Sequence, residues 1–306
     1  MNIEVLLTEA EIAEEFAESI QARDLPEKFF FWSPLSIKTW KALAAGSQAS
    51  LAATWETLAS RAAELTKPFG DSVPVVSFGA GDGVRDRMVL RTMMAAGRNV
   101  KYYPVDASQM LLETACAGAE DDDCEVLGIK ADISSPVHLL LAADVAEAPR
   151  LFFMTGNTLG GFDPLEQLKL VADCIRNGDL FIVDCRMNGS VELQPTEEQK
   201  RFVFAPLAGI GVKPEDGDLE FSEKADDRLE GLHILTRRFQ ASRDIELMAA
   251  SRPLNLVRGE RILLNFRYSM TAEAFRWLIT EHAGLRIVGE LPSADGRFLT
   301  AACIKA

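Results

Sequence analysis

The sequence predicts an α/β protein built around a doubly wound, mostly parallel sheet. Two observations carry this prediction. From residue 73 onward, short apolar runs alternate with stretches of helical periodicity, and a glycine-rich turn directly follows the first run. Such alternation is typical of right-handed βαβ units, which form a parallel sheet with helices on both faces. Ligands bind beyond the carboxyl ends of such strands, so the residues after each run are candidates for a site.

The alternating elements can be placed along the chain from periodicity and turn residues. Apolar runs of strand length lie at 74–78, 99–105, 124–129, 150–155 and 179–184. Helical stretches separate them at 83–97, 107–117, 135–146 and 163–176. We therefore expect these runs to form neighbouring strands of one parallel sheet, with the helices covering its two faces.

The first 70 residues have the periodicity of helices rather than strands. Thr8 and Glu11 have the spacing of a capping box, which opens a helix with its apolar residues on one face. Ser33 followed by Pro34 predicts the start of another helix, because proline is favoured at the first helical position. We expect residues 1–70 to form an N-terminal helical segment.

The alternation ends after residue 185. The segments DLEFSEK, LHILTRRFQA, DIELMAAS and RILLNFRYS look like strands joined by short polar turns, which predicts antiparallel pairing. Thr271 is placed to cap a late helix, and two further apolar runs predict closing strands. The chain is thus divided into the N-terminal segment 1–70, a Rossmann-like core 71–190, an inserted antiparallel lobe 191–270, and a C-terminal helix with strands 271–306.

Composition disfavours several classes of partner. The net charge of −14 argues against binding to nucleic acid or to an anionic membrane surface. No apolar stretch approaches the roughly 20 residues needed to cross a bilayer, and the acidic N-terminus lacks the basic region of a signal peptide. The five cysteines are scattered and odd in number, which favours buried thiols in a reducing, cytoplasmic setting. The three histidines lie far apart, so we expect no metal site.

The glycine-rich turn lies in PVVSFGAGDGVRDR, residues 74–87. Gly79, Gly81 and Gly83 allow a sharp turn after the first strand and let a ligand lie against bare main chain. The following helix presents its N-terminal amides to that ligand. A phosphate-binding P-loop is excluded because no Gly-Lys-Ser/Thr follows, and Val84 stands where the dinucleotide fingerprint requires its third glycine.

Acidic residues follow the next two strands. Asp106 ends the second strand, where a carboxylate can accept both hydroxyls of a ribose; the alternative is that it caps the following helix. Asp132 and Ile133 follow the third strand and could receive an adenine ring, although Asp132 alone also fits a helix cap. The fourth strand runs into a small, polar loop at 155–164, which lies at the same edge of the sheet.

These features together resemble a class I S-adenosylmethionine-dependent methyltransferase. More narrowly, the chain is similar to the histidine-specific methyltransferase family, whose founding activity is Nα-trimethylation of histidine on the way to ergothioneine. The most specific stretches are YYPVDAS and TGNTLGGFDP, and the likeness extends over residues 24 to 279 through DLPEKFFFWSPLSIKTWKAL, FGAGDGVRDRMVL, SRDIELMAAS and GERILLNFRYSMTAEAFRWLI. The resemblance implies that S-adenosylmethionine is the cofactor and that the chain is a transferase.

The resemblance also implies roles for individual residues. It places the methionine end of the cofactor beside Gly79, Ala80, Gly81 and Arg85, the ribose beside Asp106 and Ala107, the adenine beside Asp132 and Ile133, and the sulfonium beside Gly156 and Asn157. It further implies that the N-terminal helices and the late strands form a lobe that closes over the substrate.

The acceptor side departs from the family pattern. Gly161 stands where histidine-methylating members carry an asparagine, and Asn265 and Arg267 stand where they carry a glutamate and a serine. The aromatic run FFFW replaces a tyrosine-bearing segment. These departures disfavour histidine itself, and an inward-facing Arg267 would favour an acceptor with an anionic or carbonyl group; the alternative is that Arg267 faces solvent. The candidate acceptor residues are Phe31, Trp32, Thr158, Gly161, Asn265 and Arg267.

The function predicted from the sequence is methyl transfer from S-adenosylmethionine to a small-molecule acceptor. We expect an amino-acid-like acceptor that is N-methylated in secondary metabolism, while O- and C-methylation and the oligomeric state stay open. Asp163 and Asp184 lie near carboxyl edges and could orient an amine and take its proton, but the roles of helix cap and strand-end acid suit them better, so no general base is identified. The alternative is a degenerate cofactor-binding protein that serves as a regulatory or structural subunit. An NAD(P)-dependent oxidoreductase is disfavoured by the glycine spacing.

Overall fold

The computed structural model describes residues 1–47, 49–188 and 195–306. Its strands are β1 (Ile3–Val5), β2 (Ser72–Phe78), β3 (Asn99–Asp106), β4 (Glu125–Val126), β5 (Gly128–Lys130), β6 (Leu151–Met154), β7 (Leu180–Arg186), β8 (Gly217–Ala225), β9 (Leu232–Ala241), β10 (Ile245–Ala249), β11 (Arg252–Leu256), β12 (Arg261–Met270), β13 (Leu285–Pro292) and β14 (Phe298–Lys305). Its α-helices are α1 (Glu9–Ala22), α2 (Pro34–Ser47), α3 (Ala49–Ser60), α4 (Ala62–Leu65), α5 (Val84–Ala95), α6 (Gln109–Asp121), α7 (Pro136–Ala143), α8 (Pro164–Cys174), α9 (Glu197–Ala208) and α10 (Ala272–Trp277). Short 3-10 helices lie at Glu27–Phe30, Leu159–Gly161 and Pro214–Asp216, and a π-helical turn follows α10 at Leu278–His282.

The central sheet has the strand order β1-β5-β3-β2-β6-β7-β14-β13, with β4 also paired to β3. The strands from β1 to β7 pair in parallel, whereas β14 is antiparallel to both of its neighbours. The chain moves outward from β2 to β3 and β5, and then returns to β6 on the other side of β2. This confirms the predicted α/β class with a doubly wound, mostly parallel sheet, and it brings the ends of β2 and β6 together at the switch point.

The late part of the chain adds two antiparallel units. Strands β8, β9 and β12 form a three-stranded sheet in the order β12-β9-β8, and β10 pairs with β11 as a hairpin. One hydrophobic core joins this sheet to the N-terminal segment: Phe16 and Phe29 lie in the same buried cluster as Phe239 and Ile262. Two further clusters fill the two faces of the central sheet. The N-terminal segment and the antiparallel sheet therefore pack as one layer against the carboxyl edge of the core.

Local signals account for the helix starts. Thr8 accepts a hydrogen bond from the N–H of Glu11, and Glu11 accepts one from the N–H of Thr8, as the capping box predicts. Ser33 accepts a hydrogen bond from the N–H of Ser36 at 3.1 Å, where α2 begins. Within the described ranges, no helix is long and apolar enough to cross a membrane.

Some elements differ from the sequence prediction. The run at 124–129 is two short strands, because β4 pairs only with β3 whereas β5 pairs with both β3 and β1. Strands β1 and β11 and helix α9 were not predicted. Helix α9 does carry a capping box, formed by Thr196 and Gln199, but Pro206 in its last turn obscures the helical pattern. The boundary predicted at 190/191 lies outside the described residues.

Candidate functional site

A cavity of about 290 Å³ lies at the carboxyl edge of the central sheet. Its walls come from the turns after β2, β3, β5 and β6, from the N-terminal segment, and from β12. All ten residues predicted to hold the cofactor line it: Gly79, Ala80, Gly81, Arg85, Asp106, Ala107, Asp132, Ile133, Gly156 and Asn157. The cavity is thus formed where the switch point of the sheet predicts a ligand site.

The turn after β2 requires its glycines. Gly79, Gly81 and Gly83 have φ of 70°, 60° and 69°, in the left-handed region that side chains disfavour. A Cβ on Gly79 would lie 2.7 Å from Cγ2 of Thr158, so the turn passes against the loop after β6. The main chain of this turn consequently lies bare along one wall of the cavity.

Asp106 fixes the glycine turn from the end of β3. Its carboxylate accepts hydrogen bonds from the N–H groups of Gly81 and Ser108, each at 2.9 Å. Burial raises its pKa, although these amide hydrogen bonds oppose the rise. The helix cap is Ser108 rather than Asp106, because the Ser108 hydroxyl accepts from the N–H of Leu111. Each carboxylate oxygen of Asp106 accepts one amide and retains capacity for a hydroxyl group in the cavity.

The loop after β6 is held in an unusual backbone conformation. Gly156 and Asn157 have φ of 81° and 63°, and their N–H groups donate to the Asp184 carboxylate at 2.8 and 2.6 Å. Burial raises the pKa of Asp184 to about 6. Asp184 therefore serves as a strand-end acid that shapes this loop. Asp163, the other acid considered, caps α8 and pairs with Arg228.

Arg85 supplies a positive charge to the same wall. It lies in the first turn of α5, and a Cβ on Gly156 would come within 2.6 Å of its Nη1. The guanidinium therefore lies directly over the bare main chain of the loop after β6. Asp184 and Asp82 are its nearest electrostatic partners. A guanidinium in this position suits a carboxylate ligand group.

Asp132 is tied to the N-terminal segment. Its carboxylate accepts from the N–H of Ser134 at 2.8 Å and forms an ion pair with Lys28 at 2.5 Å. Burial opposes its ionisation, but Lys28 and Ser134 together hold its pKa below the ordinary value. The helix cap of α7 is Ser135, whose hydroxyl accepts from the N–H of His138, so the expectation that Asp132 caps this helix is wrong.

The six residues predicted for the acceptor divide into two groups. Phe31, Thr158 and Arg267 line the cavity, so the alternative of a solvent-facing Arg267 is wrong. The remaining three, Trp32, Gly161 and Asn265, are not among the described residues that line it. The Trp32 indole N–H instead donates to Glu9, and its ring packs on Phe16. Gly161 and Asn265 lie behind the wall, in contact with the side chain of Glu27.

Several residues that line the cavity were not predicted as site residues. Among them, Glu27 and Lys28 enter from the 3-10 helix Glu27–Phe30, and Trp40, Asp86 and Phe162 lie in other parts of the walls. Glu27 contacts Arg267 and Lys28 contacts Asp132, pairs that lie far apart in the chain. No local motif marks such long-range pairs. For Phe162, its place directly after the small, polar loop residues was a usable signal.

The residues present fit S-adenosylmethionine. The bare main chain of Gly79–Gly81 leaves room for a ligand backbone, the Asp106 carboxylate can accept ribose hydroxyls, and the Arg85 guanidinium can receive an amino-acid carboxylate. The buried apolar side chain of Ile133 offers a surface for an adenine ring. Across the described parts of the chain, no group of three or more His, Cys, Asp or Glu side chains is placed to hold a metal ion.

Fold and site together define a class I S-adenosylmethionine-dependent methyltransferase. Residues 10–188 match the model of a family described as histidine-specific, SAM-dependent methyltransferases. Because this match extends over more than half of the chain, the protein belongs to that family. It is accordingly a methyltransferase that uses S-adenosylmethionine. No curated protein sequence matches the chain.

Three solved structures of methyltransferases are similar to the chain at low sequence identity. An S-adenosylmethionine-dependent methyltransferase from Clostridium acetobutylicum ATCC 824 is 13% identical, with a TM-score of 0.47, over 87% of this chain and 98% of that one. The CcbJ methyltransferase from Streptomyces caelestis is 15% identical, with a TM-score of 0.43, over 81% and 95%. The mitomycin 7-O-methyltransferase MmcR is 13% identical, with a TM-score of 0.49, over 98% and 69%.

Proposed function

We propose that the protein methylates a nitrogen of a small, amino-acid-like acceptor in a biosynthetic pathway. One observation carries the proposal: a single cavity contains the ten cofactor candidates together with Phe31, Thr158 and Arg267. The cavity has a volume of about 290 Å³ and is lined in part by the aromatic side chains of Phe31, Trp40 and Phe162, which suits a metabolite better than a macromolecule. Histidine itself is disfavoured, because Arg267 projects into the cavity where histidine-methylating relatives carry a smaller serine.

The reaction requires alignment and exclusion of water more than acid–base chemistry. S-adenosylmethionine would supply a methyl group that is already activated. Transfer to the lone pair of an acceptor nitrogen would break the carbon–sulfur bond and leave S-adenosylhomocysteine, and the nitrogen would then lose a proton. In this chain Asp106 and Arg85 would orient the donor, and the rings of Phe31 and Phe162 would keep water from the acceptor. The nitrogen must arrive uncharged, because its lone pair forms the new bond.

The proposal is tested by transfer of a labelled methyl from S-adenosylmethionine into free amino acids and into a small-molecule extract of the host cell. We expect label in one small molecule, whose mass and fragmentation identify the methylated atom. Label on oxygen or carbon would overturn the assignment to nitrogen. Tight binding of S-adenosylhomocysteine without transfer to any small molecule would instead support the alternative, a cofactor-binding subunit without catalytic activity.

The cofactor site has its own test, independent of the acceptor. Replacing Asp106 by Ala removes the carboxylate that positions Gly81 and would bind the ribose. We expect S-adenosylhomocysteine affinity, measured by calorimetry, to fall by about tenfold or more, since hydrogen bonds to a charged group contribute about 1.5–3 kcal/mol. Unchanged affinity would show that the ribose does not lie beside Asp106.

A further inference from the structure

Gly161 leaves a space that two charged side chains fill. A Cβ at this position would lie 2.5 Å from Nη1 of Arg267 and 3.0 Å from Cγ of Glu27. Glu27 and Arg267 form an ion pair in this space, and both side chains are mostly buried, with 10% and 19% of their surface exposed. A larger residue at 161 would displace the pair. Gly161 and Arg267 are two departures from the family pattern, and they are coupled because the side chain of Arg267 occupies the space that the glycine leaves.

The ion pair belongs to a larger polar network. Glu27 also accepts a hydrogen bond from the Asn265 side-chain amide, and the oxygen of that amide accepts one from Arg237. Arg237 is crowded by positive charge: burial first, and then the neighbouring Arg267, lower its pKa to about 9, while Glu27 opposes the change. The network therefore contains two guanidinium groups and one carboxylate, and an added negative charge would balance it.

Arg267 is the positively charged residue of the network that lines the cavity. It lines the cavity together with Glu27, Phe31 and Phe162. Within the described chain, Glu27 is the hydrogen-bond partner that the structure gives to Arg267. Arginine carries five N–H donors, so the group retains donors beyond those that Glu27 accepts. A carboxylate matches the fork of a guanidinium better than any other common metabolite group.

We propose that Arg267 binds a carboxylate of the acceptor, that Glu27 holds the guanidinium in place, and that Gly161 provides the space for both. This inference rests on the proposed function and deepens it, since it identifies the acceptor as a carboxylic acid anchored at the end of the cavity formed by β12. Arg267 contacts substrate in this arrangement, whereas Glu27 and Gly161 are positioning residues.

The test compares matched probes on protein saturated with S-adenosylhomocysteine. Saturation-transfer NMR measures binding of a mixture of free amino acids and, separately, of the corresponding carboxamides. We expect the wild-type protein to bind at least one free amino acid and its carboxamide about ten- to a hundredfold more weakly, the range for a hydrogen bond to a charged group. Equal binding of the two forms, or binding of neither, would overturn the proposal.

Three variants test whether the preference for carboxylates over carboxamides depends on this network. Arg267→Gln should abolish the preference for carboxylates. Gly161→Ala should do the same, because the added methyl meets the guanidinium. The matched control is Arg261→Gln on the same strand, where Arg261 is exposed and pairs with Glu220 at 3.3 Å; it should retain the preference. A retained preference in Arg267→Gln would refute the role of this residue.

The binding experiment tests the role of Arg267, and the methyl-transfer experiment tests the proposed reaction, so either can give a negative result without the other. Label entering a small molecule that lacks a carboxylate would support methyl transfer and contradict the proposal that Arg267 binds a carboxylate of the acceptor. If the protein binds carboxylates through Arg267 but transfers no label, the role of Arg267 is supported and the proposed reaction is contradicted. The binding measurement therefore decides the inference without requiring turnover.

Discussion

Four of the buried or half-buried acids at or beside the cavity have different partners. Asp106 holds the amides of the glycine turn, Asp184 holds the loop after β6, and Asp132 pairs with Lys28. Asp86 is nearly fully buried in the first turn of α5 and accepts a hydrogen bond from the Tyr102 hydroxyl at 2.6 Å. The hydrogen-bond partners of Asp86 are hydroxyl groups, with Ser77 as the second, and burial raises its pKa as it does that of Asp184.

Because Asp86 is buried, we expect the free energy of unfolding to depend measurably on pH. Burial raises its pKa from 3.8 to about 6, so the folded state binds this proton more tightly than the unfolded state. The resulting stabilisation is present below the ordinary pKa and is lost as pH rises through about 6. Asp86→Asn removes the titration, so between pH 4 and 7 the variant should gain up to about 3 kcal/mol relative to wild type. Urea unfolding across this pH range measures the difference; parallel curves would contradict it.

At the level of residues, all ten predicted cofactor residues line the cavity, whereas only three of the six predicted acceptor residues do. Asp106, Asp132 and Gly156 could be found because each follows a strand of one parallel sheet, and such positions meet at one edge. Glu27 could not be found. Its place in the cavity depends on a contact with Arg267 across most of the chain, and the stretch EKFFFW contains no sign of it.

At the level of elements, α1 is fixed to the central sheet by one charged contact. Glu9, the first residue of α1, pairs with Lys130 at the end of β5, where the Lys130 side chain is only 2% exposed. The strand β1, three residues long, pairs with β5 beside this contact. A strand this short has too few residues to show alternation, which explains why β1 could not be predicted. Its pairing depends on β5 and on the docking of α1.

Replacing Glu9 by Gln should therefore destabilise the protein. The change leaves the buried ammonium of Lys130 without its anionic partner, and we expect a loss of about 1–2 kcal/mol in the free energy of unfolding, reduced from a fully buried pair because Glu9 is half exposed. The double variant Glu9→Gln with Lys130→Met should recover most of this loss. Chemical denaturation provides the measurement.

The matched control for this prediction is Glu14→Gln on the same helix. Glu14 pairs with Arg252 at 3.0 Å, and both side chains are exposed, so its loss should cost less than about 0.5 kcal/mol. If Glu9→Gln lowers the free energy of unfolding no more than Glu14→Gln does, then the burial of Lys130 does not strengthen the contact between α1 and the sheet.

At the level of the whole molecule, the cavity is built from regions that are distant in sequence. The glycine turn and the loops after β3, β5 and β6 form one side, and the 3-10 helix Glu27–Phe30 closes the other. Adjacent residues of this short helix reach in two directions, since Glu27 pairs with Arg267 and Lys28 pairs with Asp132. The N-terminal segment thus connects the expected acceptor end of the cavity to the expected adenine end.

This arrangement predicts that cofactor binding protects the N-terminal segment as well as the core. With S-adenosylhomocysteine at about a hundred times its dissociation constant, amide hydrogen exchange at 79–85 and at 27–31 should slow together, by up to about a hundredfold where exchange requires release of the ligand. Peptides from strand β8 should be unaffected, and Asp106→Ala should reduce both effects about tenfold or more at the same ligand concentration, in proportion to its loss of affinity. Protection confined to 79–85 would show that residues 27–31 open and close independently of the cofactor, and the ion pairs of Glu27 and Lys28 would then not couple the two ends of the cavity.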